Sequence, residues 1–293
     1  MTTQSLRGWP AFRVYLEMIK FEHSIFALPF AMLGMLWAAD GWPGWRTFGL
    51  ILVAMVSCRS AAMAFNRILD RDIDAKNPRT KMRAIPAGLL QPRQVNVFFY
   101  GSCAIFVGAA ALLNPLALAL SPVALLFTLG YSATKRFTPL CHFVLGFSLG
   151  IAPAAAWIAT TGALHPAILP VTFGVMAWTA GFDIIYALQD EEFDRTEGLR
   201  SLPETLGKAR ALVVSRLAHF AAVGLLAWAG SLAGAGVVYF AGVAVAAGIL
   251  VYEQSLVKPD DLSRVNLAFF TLNGFVSILV FLFAWADWFL RTR

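Results

Sequence analysis

Nine long apolar runs dominate this chain, and they leave almost no sequence for anything else. They fall near residues 24–39, 47–65, 97–113, 115–131, 140–160, 167–188, 211–229, 233–251 and 266–287. A bilayer core needs roughly 17–25 apolar residues per helix. Only 14% of the residues are charged, against about 25% in a soluble domain, so the chain lacks the polar surface to cover itself in water. The expectation is an all-α integral membrane protein of nine transmembrane helices, one domain over residues 1–293. The run at 24–39 is short, but the aromatic, amphipathic segment before it argues for a retained first span over a signal peptide. In that segment, residues 7–20, the side chains of Trp9, Phe12, Leu16 and Ile19 share one helical face, the pattern of an interfacial helix. Pro29, Pro122, Pro153 and Pro170 fall in or beside the runs, which membrane helices tolerate.

The net charge of +6 does not imply nucleic acid, because the basic residues sit in short loops between spans. Arg67, Arg71, Lys76, Arg79, Lys81, Arg83 and Arg93 follow the second span, and Lys135 and Arg136 the fourth. Arg195, Arg200, Lys208 and Arg210 follow the sixth, and Lys258 and Arg264 the eighth. The opposite loops hold Arg46, and the tail holds Arg291 and Arg293. The positive-inside rule therefore places the N-terminus in the cytoplasm, and nine spans place the C-terminus outside. The setting this suggests is a bacterial inner membrane. Cys58, Cys103 and Cys141 are scattered and read as small apolar residues. His23, His142, His165 and His219 are dispersed and read as structural; Glu22 and His23 open the first span and could reach a cytoplasmic cavity.

Two cytoplasmic loops, 66–95 and 189–210, carry most of the acid. Each opens with Asp-x-x-x-Asp at the end of a span: Asp70 and Asp74, then Asp190 and Asp194. On a helix, positions i and i+4 share a face, so each pair would aim two carboxylates at one point. Asn66 joins the first face, and Asp183 and Tyr186 the second. Magnesium takes hard oxygen ligands, and often binds through one or two carboxylates plus substrate phosphates. Two facing pairs would hold metal ions with a diphosphate between them. Arg59, inside the second span and seven residues before Asn66, is an intramembrane charge and so a functional candidate. Arg79, Arg83, Lys135, Arg136 and Arg200 are the loop candidates for phosphate or carboxylate recognition. A lone juxtamembrane Asp-x-x-x-Asp is usually a solvated helix end. Two copies four spans apart, on one side of the membrane, are a stronger signal, and they suggest two related halves. A cation-coupled secondary transporter is the competing class, although its acids would be expected near the midplane; a non-catalytic scaffold would need no matched clusters.

At these residues the sequence resembles the UbiA family of intramembrane aromatic prenyltransferases. Asn66, Asp70 and Asp74 match its first motif, with Arg67 where the family has an acid and Asp72 as an extra one nearby. Arg79-Thr80, Arg83, Pro86 and Gly88 resemble the continuation. Asp183, Tyr186, Ala187, Asp190 and Asp194 match the second motif, and Gly198, Arg200-Ser201 and Leu206-Gly207 its tail. The resemblance extends over the whole chain and is closest to the branch of 4-hydroxybenzoate polyprenyltransferases, part of which serves the futalosine route to menaquinone. It implies a helical bundle with a central cavity, magnesium as cofactor, and as substrates a polyprenyl diphosphate and a small aromatic acid. Asn66, Asp70, Asp74, Asp190 and Asp194 would hold metal. Arg59, Arg79, Lys135, Tyr186 and Arg200 would face the diphosphate, and Arg136 and Asp183 the acceptor: 4-hydroxybenzoate, or alternatively a hydroxynaphthoate. Departure of the diphosphate would leave an allylic carbocation for the electron-rich ring to attack.

Overall fold

The structure, a computed structural model, describes residues 9–20 and 26–292, without the side chains of residues 9–12. Glu22 and His23 lie outside the described residues, as do the side chains of Trp9 and Phe12. Short helix α1 (Trp9–Met18) precedes the bundle. The helices that follow are α2 (Leu28–Ala39), α3 (Trp45–Leu69), α4 (Arg71–Lys76), α5 (Pro92–Leu113), α6 (Pro115–Thr134) and α7 (Cys141–Thr161). The second half holds α8 (Leu169–Ala187), α9 (Glu191–Thr196), α10 (Leu202–Leu206), α11 (Lys208–Leu232), α12 (Val237–Leu256) and α13 (Asn273–Arg291).

Eight segments are long and apolar enough to cross a bilayer; α2 is apolar but only 12 residues long. At 1.5 Å per residue it spans about 18 Å, short of a hydrocarbon core of about 30 Å. The expected count of nine therefore holds only if this short helix is included. Met18 at the end of α1 and Ile19 just after it are buried, and Val14, Tyr15 and Leu16 pack with Ala64 of α3 and Val95 of α5. Part of the apolar face of α1 therefore packs against the protein.

Local sequence explains where the helices start and stop. Pro92 opens α5 and Pro115 opens α6, at the position where a missing N–H costs nothing. Asn114 caps α6 by accepting from Ala117 N at 2.9 Å, and donates through Nδ2 to Ile158 O at 2.8 Å. Gly162, in the left-handed region at φ 73°, closes α7. Pro122 and Pro153 lie inside α6 and α7.

Helix α8 is the axis of the bundle, mainly apolar and buried on nearly every side, with Asp183 and Tyr186 near its end as polar exceptions. Trp178, Phe182, Val171 and Val175 pack with Phe30 and Leu33 of α2, Leu226 of α11, and Val276 and Val280 of α13. Helix α7 approaches it closely because Gly146 and Gly150 face its backbone. A Cβ on Gly146 would lie 2.3 Å from Met176 O, and one on Gly150 2.5 Å from Thr172 O. Small residues at crossings are how membrane helices pack without a hydrophobic drive between them.

The two acid motifs sit at the same end of the bundle. The other end is held by Trp288 Nε1 donating to Asp40 at 3.1 Å and by Arg291 donating to Gly234 O at 2.6 Å. The last described residues therefore lie at the end opposite the acids.

Candidate active site

The acid motifs do not lie on continuous helices, as the i, i+4 spacing had suggested. Helix α3 ends at Leu69, Asp70 takes φ −93° and ψ 5°, and α4 starts afresh. Helix α8 passes through a 3-10 turn over Leu188–Asp190, Asp190 takes φ −103° and ψ 2°, and α9 starts afresh. Both first aspartates occupy the sparsely populated bridge region where active-site residues often sit. Each introduces a six-residue helix that buries the second aspartate, Asp74 or Asp194. This matched break supports the two related halves expected from the motif spacing.

Arginines hold three of these carboxylates. Arg136 donates to Asp70 Oδ1 at 2.7 Å, and Asn66 Nδ2 donates to Asp70 Oδ2 at 2.8 Å. Arg83 donates to both oxygens of Asp74, at 2.8 and 2.9 Å. Arg67 lies 3.7 Å from Asp74 and donates to Asn66 Oδ1 at 3.1 Å. Arg79 bridges the two motifs: its guanidinium forks onto both oxygens of Asp190 and donates to Tyr186 Oη at 2.8 Å. Asn77 adds a 3.2 Å bond to Asp190. Burial works against the charge of Arg79, but the hydrogen bond and charge of Asp190 outweigh it and hold the guanidinium above its ordinary pKa.

The remaining candidates are placed as follows. Asp194 is buried in α9. Lys135 ends α6, where its carbonyl accepts from Arg200 N at 2.6 Å, so these two residues meet through their backbones. Arg59 lines the cavity described below and reaches Lys20 O at 3.4 Å. Asp72, the extra acid of the first motif, has an 84% exposed side chain and pairs with Arg71. Arg67, by contrast, is buried and brings positive charge into the first cluster. Arg136, expected to hold an acceptor carboxylate, spends its guanidinium on Asp70, Ser132 O and Leu69 O. His142, read as structural, lies 2.7 Å from Asp183. Asn77 and the pairing role of Arg67 went unnoticed in the sequence, where nothing marks a lone Asn in a loop as a partner of a carboxylate 113 positions away.

A cavity of about 470 Å³ opens beside the acid end. Asn66, Arg67, Arg83, Asp183 and Tyr186 line its polar mouth. Phe26, Phe182 and Phe269 form the next wall, with ring centroids 5.3 to 5.8 Å apart, and Phe269 stacks 4.3 Å from Tyr186. Phe269 comes from a π-helical turn over Leu267–Leu272, the kind of irregularity frequent at functional sites. Beyond the aromatic wall the lining is mainly apolar down to Ile51 of α3, Leu113 of α5 and Ile158 of α7, with the hydroxyls of Ser121, Thr128 and Ser148 as exceptions. From Asn66 back to Ile51 along α3 is about 22 Å at the helical rise.

A mouth lined by the guanidinia of Arg67 and Arg83 and the carboxylate of Asp183, leading into an aromatic and then mainly aliphatic bore, suits a ligand with a polyanionic head and a long hydrocarbon tail. The sequence pattern of the UbiA prenyltransferase family matches residues 27–285. The chain belongs to that family. Among UbiA relatives, it is 31% identical to the 4-hydroxybenzoate octaprenyltransferase of Saccharophagus degradans, over 88% of this chain and 86% of that protein. The apo structure of a UbiA homolog from Aeropyrum pernix K1 superposes with a TM-score of 0.83 at 35% identity, covering 91% of this chain and 98% of the other. A UbiA homolog from Archaeoglobus fulgidus, bound to DMAPP and Mg2+, shares the fold, with a TM-score of 0.69 at 20% identity over 93% of this chain and 98% of that one.

Proposed function

We propose that this UbiA-family protein transfers a polyprenyl chain from polyprenyl diphosphate to 4-hydroxybenzoate, in the ubiquinone type of quinone biosynthesis, with magnesium as cofactor. The observation that carries the reading is the cavity itself. Its mouth, lined by Asn66, Arg67, Arg83 and Asp183, adjoins the acid cluster through the bonds of Asn66 to Asp70 and of Arg83 to Asp74, and leads past an aromatic wall into a bore of about 22 Å along α3. The acceptor comes from the relatives named for 4-hydroxybenzoate.

The donor set suits magnesium. Asn66, Asp70, Asp74, Asp190 and Asp194 are all hard oxygen donors at one end of the bundle. Magnesium is commonly held by one or two carboxylates and completed by substrate phosphates. When bound, magnesium would supply charge neutralisation to the diphosphate. Arg83, at the mouth, and Arg79, which donates to Tyr186 of the cavity wall, can fork onto phosphate oxygens, with Arg59, Lys135 and Arg200 as further candidates for that charge. Phe26, Phe182, Phe269 and Tyr186 exclude water from the allylic carbon and offer ring faces to its developing positive charge. Asp183, in the same wall, is the acceptor's polar partner.

The direct test is product identification. Membranes containing the protein, given a polyprenyl diphosphate, magnesium and a mixture of 4-hydroxybenzoate and hydroxynaphthoate, should yield prenylated 4-hydroxybenzoate by mass spectrometry. Prenylated hydroxynaphthoate alone would move the protein to menaquinone biosynthesis.

Two further outcomes are expected. Because Arg136 is bound to Asp70, Arg136→Ala should raise the KM of the donor diphosphate about tenfold or more, the size of a lost charge-assisted hydrogen bond. A rise confined to the aromatic acid would return Arg136 to the acceptor. The acid end carries the basic loops, so we also propose that it faces the cytoplasm of a bacterial cell, at the inner membrane. Reporter fusions near Pro78 and at Arg293 should then report opposite sides, with Arg293 outside; the same side for both would contradict this topology.

A further inference from the structure

We infer that His142 is a positioning residue: it fixes the carboxylate of Asp183 in the orientation that meets the hydroxyl of the aromatic acceptor. The inference rests on the reading above, in which Asp183 faces the acceptor. Asp183 lines the cavity between Phe182 and Tyr186, with 22% of its side chain exposed. The phenyl ring of Phe182 offers a carboxylate no hydrogen bond, and the hydroxyl of Tyr186 accepts from Arg79. His142 can orient the carboxylate, because its Nδ1 lies 2.7 Å from Asp183 Oδ2.

The second nitrogen of His142 fixes which one carries the proton. Leu202 N lies 3.3 Å from His142 Nε2. An amide N–H only donates, so Nε2 accepts, and in the neutral ring the proton sits on Nδ1, pointing at Asp183. His142 is buried at 3% exposure and is not part of the cavity wall. It therefore acts on a cavity-bound acceptor only through Asp183. Leu202 opens α10, just beyond the loop that carries Asp190 and Asp194, and Ser201 caps that helix by accepting from Glu204 N at 3.3 Å. The chain of contacts runs from the backbone after the second acid motif, through the imidazole, to the one carboxylate of that motif that faces the acceptor.

A buried histidine that merely satisfied its neighbours would show the same geometry, so the test must separate the two roles. The measurements use the full-length protein with magnesium, 4-hydroxybenzoate and geranyl diphosphate, and geranyl thiodiphosphate as the probe of donor binding. His142→Leu should lower kcat/KM for 4-hydroxybenzoate about a hundredfold, the scale of a misplaced reacting group, and leave the Kd of geranyl thiodiphosphate unchanged. His142→Gln should recover most of the loss, because an amide can, like neutral imidazole, donate to Asp183 and accept from Leu202 N. In an Asp183→Leu background, adding His142→Leu should cost nothing more.

Equal losses in acceptor turnover and donor binding would overturn the inference, as would additive losses in the double variant. Failure of His142→Gln to recover would mean that the imidazole itself is needed, which contradicts positioning. If the wild type prenylates no aromatic acid, the functional reading fails instead. The pairing is then judged alone by 15N spectra of histidine-labelled protein. The resonances missing from His142→Gln should report the Nδ1–H tautomer, and the Nε2–H tautomer would refute the arrangement.

Discussion

Asp74→Ala should abolish prenyl transfer and also weaken the fold. Asp74 is buried, takes two bonds from Arg83 at 2.8 and 2.9 Å, and lies 3.7 Å from the buried Arg67. Removing it leaves two guanidinia facing each other without their common anion. Breaking a buried pair from one side typically costs about 3–5 kcal/mol. Loss of activity should be larger than that alone explains, because the same carboxylate is a proposed metal ligand, and removing one such charge-stabilising group costs at least about a hundredfold in rate. Asp74→Asn separates the effects: it keeps the volume and an accepting oxygen, so it should be made in the membrane close to wild-type levels yet remain inactive. Wild-type turnover in either variant would take the first motif out of the mechanism.

Gly34→Leu should prevent accumulation of folded protein. Gly34 sits where α2 crosses α7, and a Cβ there would lie 2.3 Å from the carbonyl oxygen of Pro153. The obstacle is backbone, so no side-chain rotation relieves it. Overpacking a tight interior typically costs about 1–3 kcal/mol, and Leu adds three more carbons to the clash. The same change at Gly224 of α11, where a Cβ meets nothing within 4 Å, should be tolerated. Size-exclusion profiles of the two variants in detergent measure the difference. A monodisperse Gly34→Leu peak with wild-type thermal stability would contradict the crossing.

These glycines show where the sequence was mute. Gly34, Gly146 and Gly150 are three of 23 glycines, and only the three-dimensional crossing distinguishes them. The spans were legible because a bilayer imposes one length on every crossing. Helix α2 escapes that rule at 12 residues. The carboxylates were legible because Asp70, Asp74, Asp190 and Asp194 repeat one spacing beside apolar runs, where charge is costly. Their setting was not: periodicity predicts a continuous helix, and nothing local announces the break at Asp70 or the 3-10 turn before Asp190. Long, flexible arginines carry no sequence mark of their partners. Arg79 crosses to Asp190, 111 positions away, and Arg136 to Asp70, 66 positions away. His142 looked idle for the same reason, since its partner stands 41 positions further along on another helix.

The central claim is that the two acid motifs serve metal-dependent transfer of a prenyl group onto an aromatic acid. It is tested most directly by following product mass in membranes that contain the wild-type chain, a polyprenyl diphosphate, 4-hydroxybenzoate and magnesium, with and without excess EDTA. The account predicts prenylated 4-hydroxybenzoate that disappears with chelator and returns when magnesium is restored. Undiminished product in excess EDTA would contradict it.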